Sequence, residues 1–172
     1  MDYLKTKNKK LFINNFDLKK IAKKHKTPFY IYSADQIKKN IKLVQSSLKK
    51  SNPLICYAVK ANSNIQVIRE LKKNNVGADV VSAGELKLAL KAGISPKKIV
   101  FSGVGKTEDE IKFAIQKGIL SINAESESEI LSINKISKKL NKIVKIGIRI
   151  NPDVNSRRVS RAFFISTLRI KA

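Results

Sequence analysis

The run most suggestive of chemistry is Leu54–Asn62, LICYAVKAN. Six apolar residues lead straight into Lys60. A lysine at the C-terminal edge of a buried strand sits at the mouth of an α/β fold, where sites form. Desolvation at such a mouth disfavours an ammonium and frees the amine for imine chemistry. A lysine there can equally snorkel to solvent, and its position alone leaves both readings open. A second stretch, GVGKT at Gly103–Thr107, follows an apolar run and precedes a helical one, as a phosphate-binding loop does. That motif needs a glycine five residues before Gly105, and the position holds Val100, so a phosphate-cradling turn is not supported. His25, the only histidine, lies at a lysine-rich helix end and reads as solvated. Cys56, the only cysteine, lies mid-run and reads as a small buried core residue.

The elements that must position these residues alternate in type. Short apolar runs at Leu54–Val59, Ala78–Val81, Ile99–Phe101, Ile119–Ile122 and Ile143–Ile150 suit strands covered on both faces. Between them, apolar residues fall at helical spacing, as at Ile111, Ala114 and Ile115. Before them, Ile37, Ile41, Val44 and Leu48 mark one face of another helix. Capping boxes are predicted at Ser33/Gln36, Ser82/Glu85, Thr107/Glu110 and Ser126/Glu129. Gly93 and Gly118 mark helix ends. From Leu54 onward the chain therefore reads as five strands with four intervening helices. Such βα repeats build either an open doubly wound sheet or a (β/α)8 barrel, and periodicity does not separate the two. A barrel needs eight units, so five would be an incomplete one. Its open edge and exposed apolar interior would favour aggregation. Residues 1–53 carry one further strand candidate, FYIY at Phe29–Tyr32, and one helix.

Composition bounds the rest. The 172 residues suffice for one ordinary domain. A lone cysteine forms no disulfide within the chain and suits a reducing cytoplasm. The first twenty residues contain no long apolar run, so neither a signal peptide nor a membrane span is expected there. The net charge of +23 would suit a polyanion partner. The lysines, however, are spread along the whole chain, and arginine is scarce until the last segment. No zinc-finger spacing and no aromatic–basic RNA-binding motif appears, so the charge reads as a solvated surface and nucleic acid is not the expected partner. No metal enters the reading.

YAVKAN at Tyr57–Asn62 resembles the lysine motif of the fold-type III decarboxylases and alanine racemases, which use pyridoxal 5'-phosphate. Further segments fall in the order that diaminopimelate decarboxylases show: TPFYIYS at Thr27–Ser33, GADVVSAGEL at Gly77–Leu86, FSGVGKT at Phe101–Thr107, NAES at Asn123–Ser126 and IGIRINPDV at Ile146–Val154. The resemblance implies an α/β fold, an incomplete (β/α)8 barrel of the TIM-like, alanine-racemase-like kind, with about five βα units present. It implies a carboxy-lyase taking meso-diaminopimelate to L-lysine and carbon dioxide in lysine biosynthesis. Sister readings are decarboxylases of ornithine, arginine or carboxynorspermidine, or a non-enzymatic protein that binds the same cofactor.

Carried over residue by residue, the resemblance makes Lys60 the catalytic lysine that binds the cofactor aldehyde. It sets Asp79 beside that lysine and the ring, Glu85 at the border of the site, and Arg149 near the cofactor. Each also has a structural reading: Glu85 as the last member of a capping box, Asp79 as a strand-end carboxylate bonded to loop amides, Arg149 as an ion-pair residue within the barrel. The family's ring-nitrogen carboxylate, glycine-rich phosphate loop, His-x-Gly-Ser segment and C-terminal β-domain have no counterpart in the sequence. An N-terminal fragment, inactive alone, is therefore the expectation. The family implies a homodimer, which these residues do not assure.

The organisation that follows is a lead-in over residues 1–53, a partial cofactor-binding barrel over 54–154 and an atypical basic tail over 155–172. In that tail Arg157, Arg158, Arg161 and Arg169 stand against the single Lys171, reversing the lysine preference of the rest. Such a reversal suggests a shift of reading frame after Val154. The alternative is a genuine short protein with a basic tail.

Overall fold

The computed structural model describes residues 3–150 and the backbone of 164–170. The described chain falls into two units, divided between Pro53 and Leu54.

In the first unit, β1 (Leu4–Lys7), β2 (Lys10–Ile13) and β3 (Phe16–Asp17) form an antiparallel meander. Asn8 and Lys9 both take positive φ, 51° and 60°, as a two-residue hairpin turn demands. Asp17 caps α1 (Leu18–Lys24), its carboxylate accepting from the Lys19 and Lys20 amides. Ser33 caps α2 (Ala34–Ser47). The Asn14 side-chain amide donates to Ser33 Oγ and Asp35 Oδ2, each at 3.0 Å, and ties the meander to that helix start.

Two expectations fail in this unit. Phe29–Tyr32 forms no strand, because no neighbouring strand pairs with it, and Tyr30 is 89% exposed. The apolar face of α2 is only half used: Ile41 is buried, while Val44 and Leu48 are exposed.

In the second unit, β4 (Cys56–Ala58), α3 (Ile65–Lys73), β5 (Gly77–Val80), α4 (Ala83–Lys91), β6 (Ile99–Phe101), α5 (Glu108–Lys117), β7 (Ser121–Ala124), α6 (Glu127–Lys139) and β8 (Val144–Ile150) follow in order. The five strands from β4 to β8 are parallel and stand side by side in chain order. That is the expected partial barrel wall, five βα strands with four helices between them. β9 (Phe164–Ile170) adds antiparallel to β8, with Val144 opposite Ile170 and Ile150 opposite Phe164. A strand there was not expected, since 155–172 read as a tail. Residues 155–163 lie outside the described chain.

The parallel register assigns the two faces of the wall, because paired residues point the same way and neighbours along a strand point oppositely. Val59, Ala78, Val80, Ile99, Phe101, Ile122, Ala124 and Ile146 are all buried and share the helix-covered face. There they meet Ile68, Leu86, Ala89, Ile111, Ala114 and Ile133 from the helices. The opposite face carries Ala58, Gly77, Asp79, Val100, Asn123, Gly147 and Arg149. This corrects the expectation of strands covered on both faces and of an apolar interior. One face is sealed by helices; the other carries small residues with Asp79, Asn123 and Arg149 among them, and is mostly half-buried. Gly77 is required on it, because a Cβ there would strike the Lys98 carbonyl oxygen and lie 3.0 Å from Cys56 Sγ.

The four helix starts use the predicted hydroxyls, but only Thr107/Glu110 makes the full reciprocal box. At Ser82/Glu85 and Ser126/Glu129 the glutamate reaches past the cap, to the Val81 amide at 2.9 Å and the Glu125 amide at 2.7 Å. Gln36 turns instead to Asn40 Oδ1. Gly118 ends α5 at φ 65°, as predicted.

Candidate functional site

Lys60 lies in a single 3-10 turn, Val59–Ala61, that follows β4 directly. Val59 is fully buried and anchors the turn. The Asn62 amide closes it on Val59 O at 3.1 Å, and Asn62 Oδ1 accepts from the Asn64 amide at 2.9 Å. Lys60 itself is exposed. The mouth position is as expected, and the residue is exposed rather than buried.

Asp79 stands on β5 with Ala58 of β4 as its register partner. The two residues that sequence places beside each other, Lys60 and Asp79, thus leave adjacent strands at the same end of the sheet. Asp79 Oδ1 accepts from Ser102 Oγ at 2.6 Å, and Ser102 Oγ accepts from Asn123 Nδ2 at 2.9 Å. The partner of Asp79 is therefore the hydroxyl of Ser102, the first residue after β6, rather than a loop amide. Cys56 lies on the same face, and its thiol is pushed up to about 11 by burial and by the Asp79 charge.

Arg149, on β8, donates from Nη1 to both oxygens of Glu125, at 3.3 and 3.1 Å. Glu125 Oε1 also accepts from the Gly103 amide at 3.2 Å, so it brackets β8 to the loop after β6. Glu85 serves the start of α4, as its capping reading supposed. No described hydrogen bond or ion pair joins Lys60, Asp79, Glu85 and Arg149 to one another. Asp79 and Arg149 are instead held by Ser102 and Glu125.

Sequence reasoning missed those intermediaries: Ser102, Asn123, Glu125, Lys106 and Glu129. Lys106 Nζ donates to Gly103 O, Asn123 O and Glu129 Oε1, at 2.6, 2.7 and 2.7 Å. The GVGKT lysine therefore faces inward, which agrees with setting the phosphate loop aside. Glu110 reaches back one βα repeat, to the start of α4, and accepts from the Ala83 amide at 2.8 Å. That bond and the Thr107 amide hold its carboxyl below the ordinary carboxylate range. His25 is exposed, as expected, with Phe29 edge-on to it. No described helix is long and apolar enough to cross a membrane.

Five parallel βα units with polar side chains gathered at the strand ends define a partial (β/α) barrel whose site opens at its C-terminal rim. A family model described as "Pyridoxal-dependent decarboxylase, pyridoxal binding domain" matches residues 34–164. The chain belongs to this family of pyridoxal-dependent decarboxylases. A diaminopimelate decarboxylase of Aquifex aeolicus is 45% identical over 153 residues, covering 89% of this chain and 36% of its own length. The chain thus spans little more than a third of the curated relatives it matches.

Two solved structures, both diaminopimelate decarboxylases in complex with L-lysine, share the fold. That from M. jannaschii has a TM-score of 0.86 and 38% identity, over 90% of this chain and 37% of its own. That from Helicobacter pylori has a TM-score of 0.76 and 45% identity, over 81% and 36%.

The described residues fit the family's cofactor. An accessible lysine stands at the strand mouth, a carboxylate is fixed on the next strand, and Ala58 and Gly147 present little side chain on the inner face.

Proposed function

We propose that this chain is the cofactor-bearing part of a diaminopimelate decarboxylase, with Lys60 as the residue that binds pyridoxal phosphate. The reaction is meso-diaminopimelate to L-lysine and carbon dioxide. The observation that carries this reading is the pairing of Ala58 with Asp79, which opens the Lys60 turn beside a fixed carboxylate. L-lysine, the product in this reading, is the ligand of the two solved relatives described above.

When bound, pyridoxal phosphate supplies an aldehyde carbon that condenses with amines and a ring that takes up the electron pair of a departing carboxylate. Lys60 offers the amine, exposed and held on a short turn. Asp79 sets a negative charge on the neighbouring strand, its position fixed by Ser102. Arg149, braced by Glu125, adds a positive charge at the same rim. Glu85 borders the site by holding the loop between β5 and α4.

The family's homodimer and a cytoplasmic location belong to the same proposal. A polypeptide of these 172 residues alone is expected to release little or no carbon dioxide from diaminopimelate. The direct test is borohydride reduction in the presence of one equivalent of pyridoxal phosphate, followed by peptide mass analysis. The cofactor mass is expected on the peptide holding Lys60. A label scattered evenly over the surface lysines would overturn the reading.

A further inference from the structure

Asp79 is the end of a hydrogen-bonded chain that runs from β7, through the first residue after β6, to β5. Asn123 Nδ2 donates to Ser102 Oγ at 2.9 Å, and Ser102 Oγ donates to Asp79 Oδ1 at 2.6 Å. The direction is set by counting protons. A serine hydroxyl has one, and the amide N–H already occupies a lone pair, so that proton is committed to the carboxylate. The second distance lies in the short range typical of a hydroxyl on an ionised acid. The backbone at Asn123 is anchored, because Lys106 Nζ donates to its main-chain carbonyl oxygen at 2.7 Å. Asn123 is 4% exposed, one of few buried polar side chains among the described residues. A polar chain that starts buried at Asn123 and ends on a half-buried carboxylate is weak as a device for stability, since apolar residues of similar volume serve as well or better. It is effective for holding one charge in one place.

We propose that Ser102 and Asn123 are positioning residues that hold the Asp79 carboxylate in one place on β5, the strand next to β4, from which Lys60 leaves the sheet. The inference rests on the reading of Lys60 as the cofactor lysine. Without Ser102 the carboxylate turns freely about its own bonds, and the cationic form of the bound cofactor loses a fixed counter-charge.

The experiment is a double-mutant cycle on the 172-residue chain. Pyridoxal phosphate is titrated into wild type, S102A, D79N and the double variant D79N/S102A, following the visible absorbance band and the pH at which it converts. S102A should weaken binding roughly tenfold, the scale of a lost hydrogen bond to a charged group, and lower the pH midpoint of the band. S102T should restore both. In the D79N background S102A should add nothing, because Ser102 acts through Asp79. N123A should move both quantities in the direction of S102A. If N123A does not fold, the Ser102–Asp79 cycle decides alone. Wild-type behaviour in S102A, or additive effects of S102A and D79N, would overturn the inference while Lys60 labelling stands. Loss of Lys60 labelling in the wild type would overturn the functional reading and this inference together.

Discussion

Lys106 Nζ lies 2.7 Å from Glu129 Oε1, and the two side chains are nearly sealed from water, at 1% and 10% exposure. All three ammonium protons have an acceptor, two of them backbone carbonyls. The pair joins the loop after β6 to the start of α6, and Glu129 Oε2 continues the connection to the Glu125 amide. Removing one partner of a buried pair leaves the other charge stranded, at a cost of about 3–5 kcal/mol. K106A should therefore lower the urea midpoint strongly. The combined apolar replacement K106M/E129L should recover much of the loss, which equilibrium unfolding by circular dichroism will read. An unchanged midpoint in K106A would show that the pair does not brace the rim.

Glu110 gives the rim a pH dependence. Its carboxyl is held low first by the Ala83 amide and then by the Thr107 amide. A carboxylate whose folded value lies below its unfolded one contributes stability above the unfolded value, and that stability is lost as the pH falls through the folded value. E110Q should be less stable than wild type near neutrality. The difference should shrink as the solution is acidified below the ordinary carboxylate range. Thermal melts of both proteins across that range are the measurement, and a constant gap would contradict the assignment.

Cys56 should be a slow thiol. Burial first and the Asp79 charge second raise it to about 11, so little thiolate exists at neutral pH. Its Sγ contacts the Lys98 carbonyl at 3.8 Å. A disulfide reagent should react at least tenfold faster with the unfolded chain than with the native one, the order set by thiolate fraction and access. D79N should speed the native reaction modestly, by removing the second cause. Equal rates in native and unfolded protein would refute the burial of this thiol.

Much of the second unit was legible in the sequence because apolar runs mark buried strands. Ile99–Phe101 coincides with β6. Ile119–Ile122 is displaced from β7, because Ile119 and Leu120 are half-buried ahead of the ladder while the polar Asn123 lies within it. Phe29–Tyr32 had the composition of a strand without a partner. The lysine-rich meander had partners without the composition: β1 is exposed throughout and carries no apolar alternation. Lys60, Asp79, Glu85 and Arg149 were named through family motifs; the helix-start role of Glu85 and the ion pairing of Arg149 were legible, while their partners Val81 and Glu125 were not.

The cross-links were missed because they join residues one βα repeat apart. Asp79 and Ser102 are 23 residues apart, Ser102 and Asn123 are 21, and Glu125 and Arg149 are 24. A polar residue recurring at strand ends with that period is the signal that could have found them.

The central claim is that Lys60, among many lysines, is the one that binds the cofactor. Wild type and K60A titrated with pyridoxal phosphate, with the visible band read after each addition, test it most directly. The account predicts a band that saturates near one equivalent in wild type and is absent from K60A at the same concentrations, with unchanged far-ultraviolet circular dichroism in both. A saturable band of equal size in K60A would contradict it.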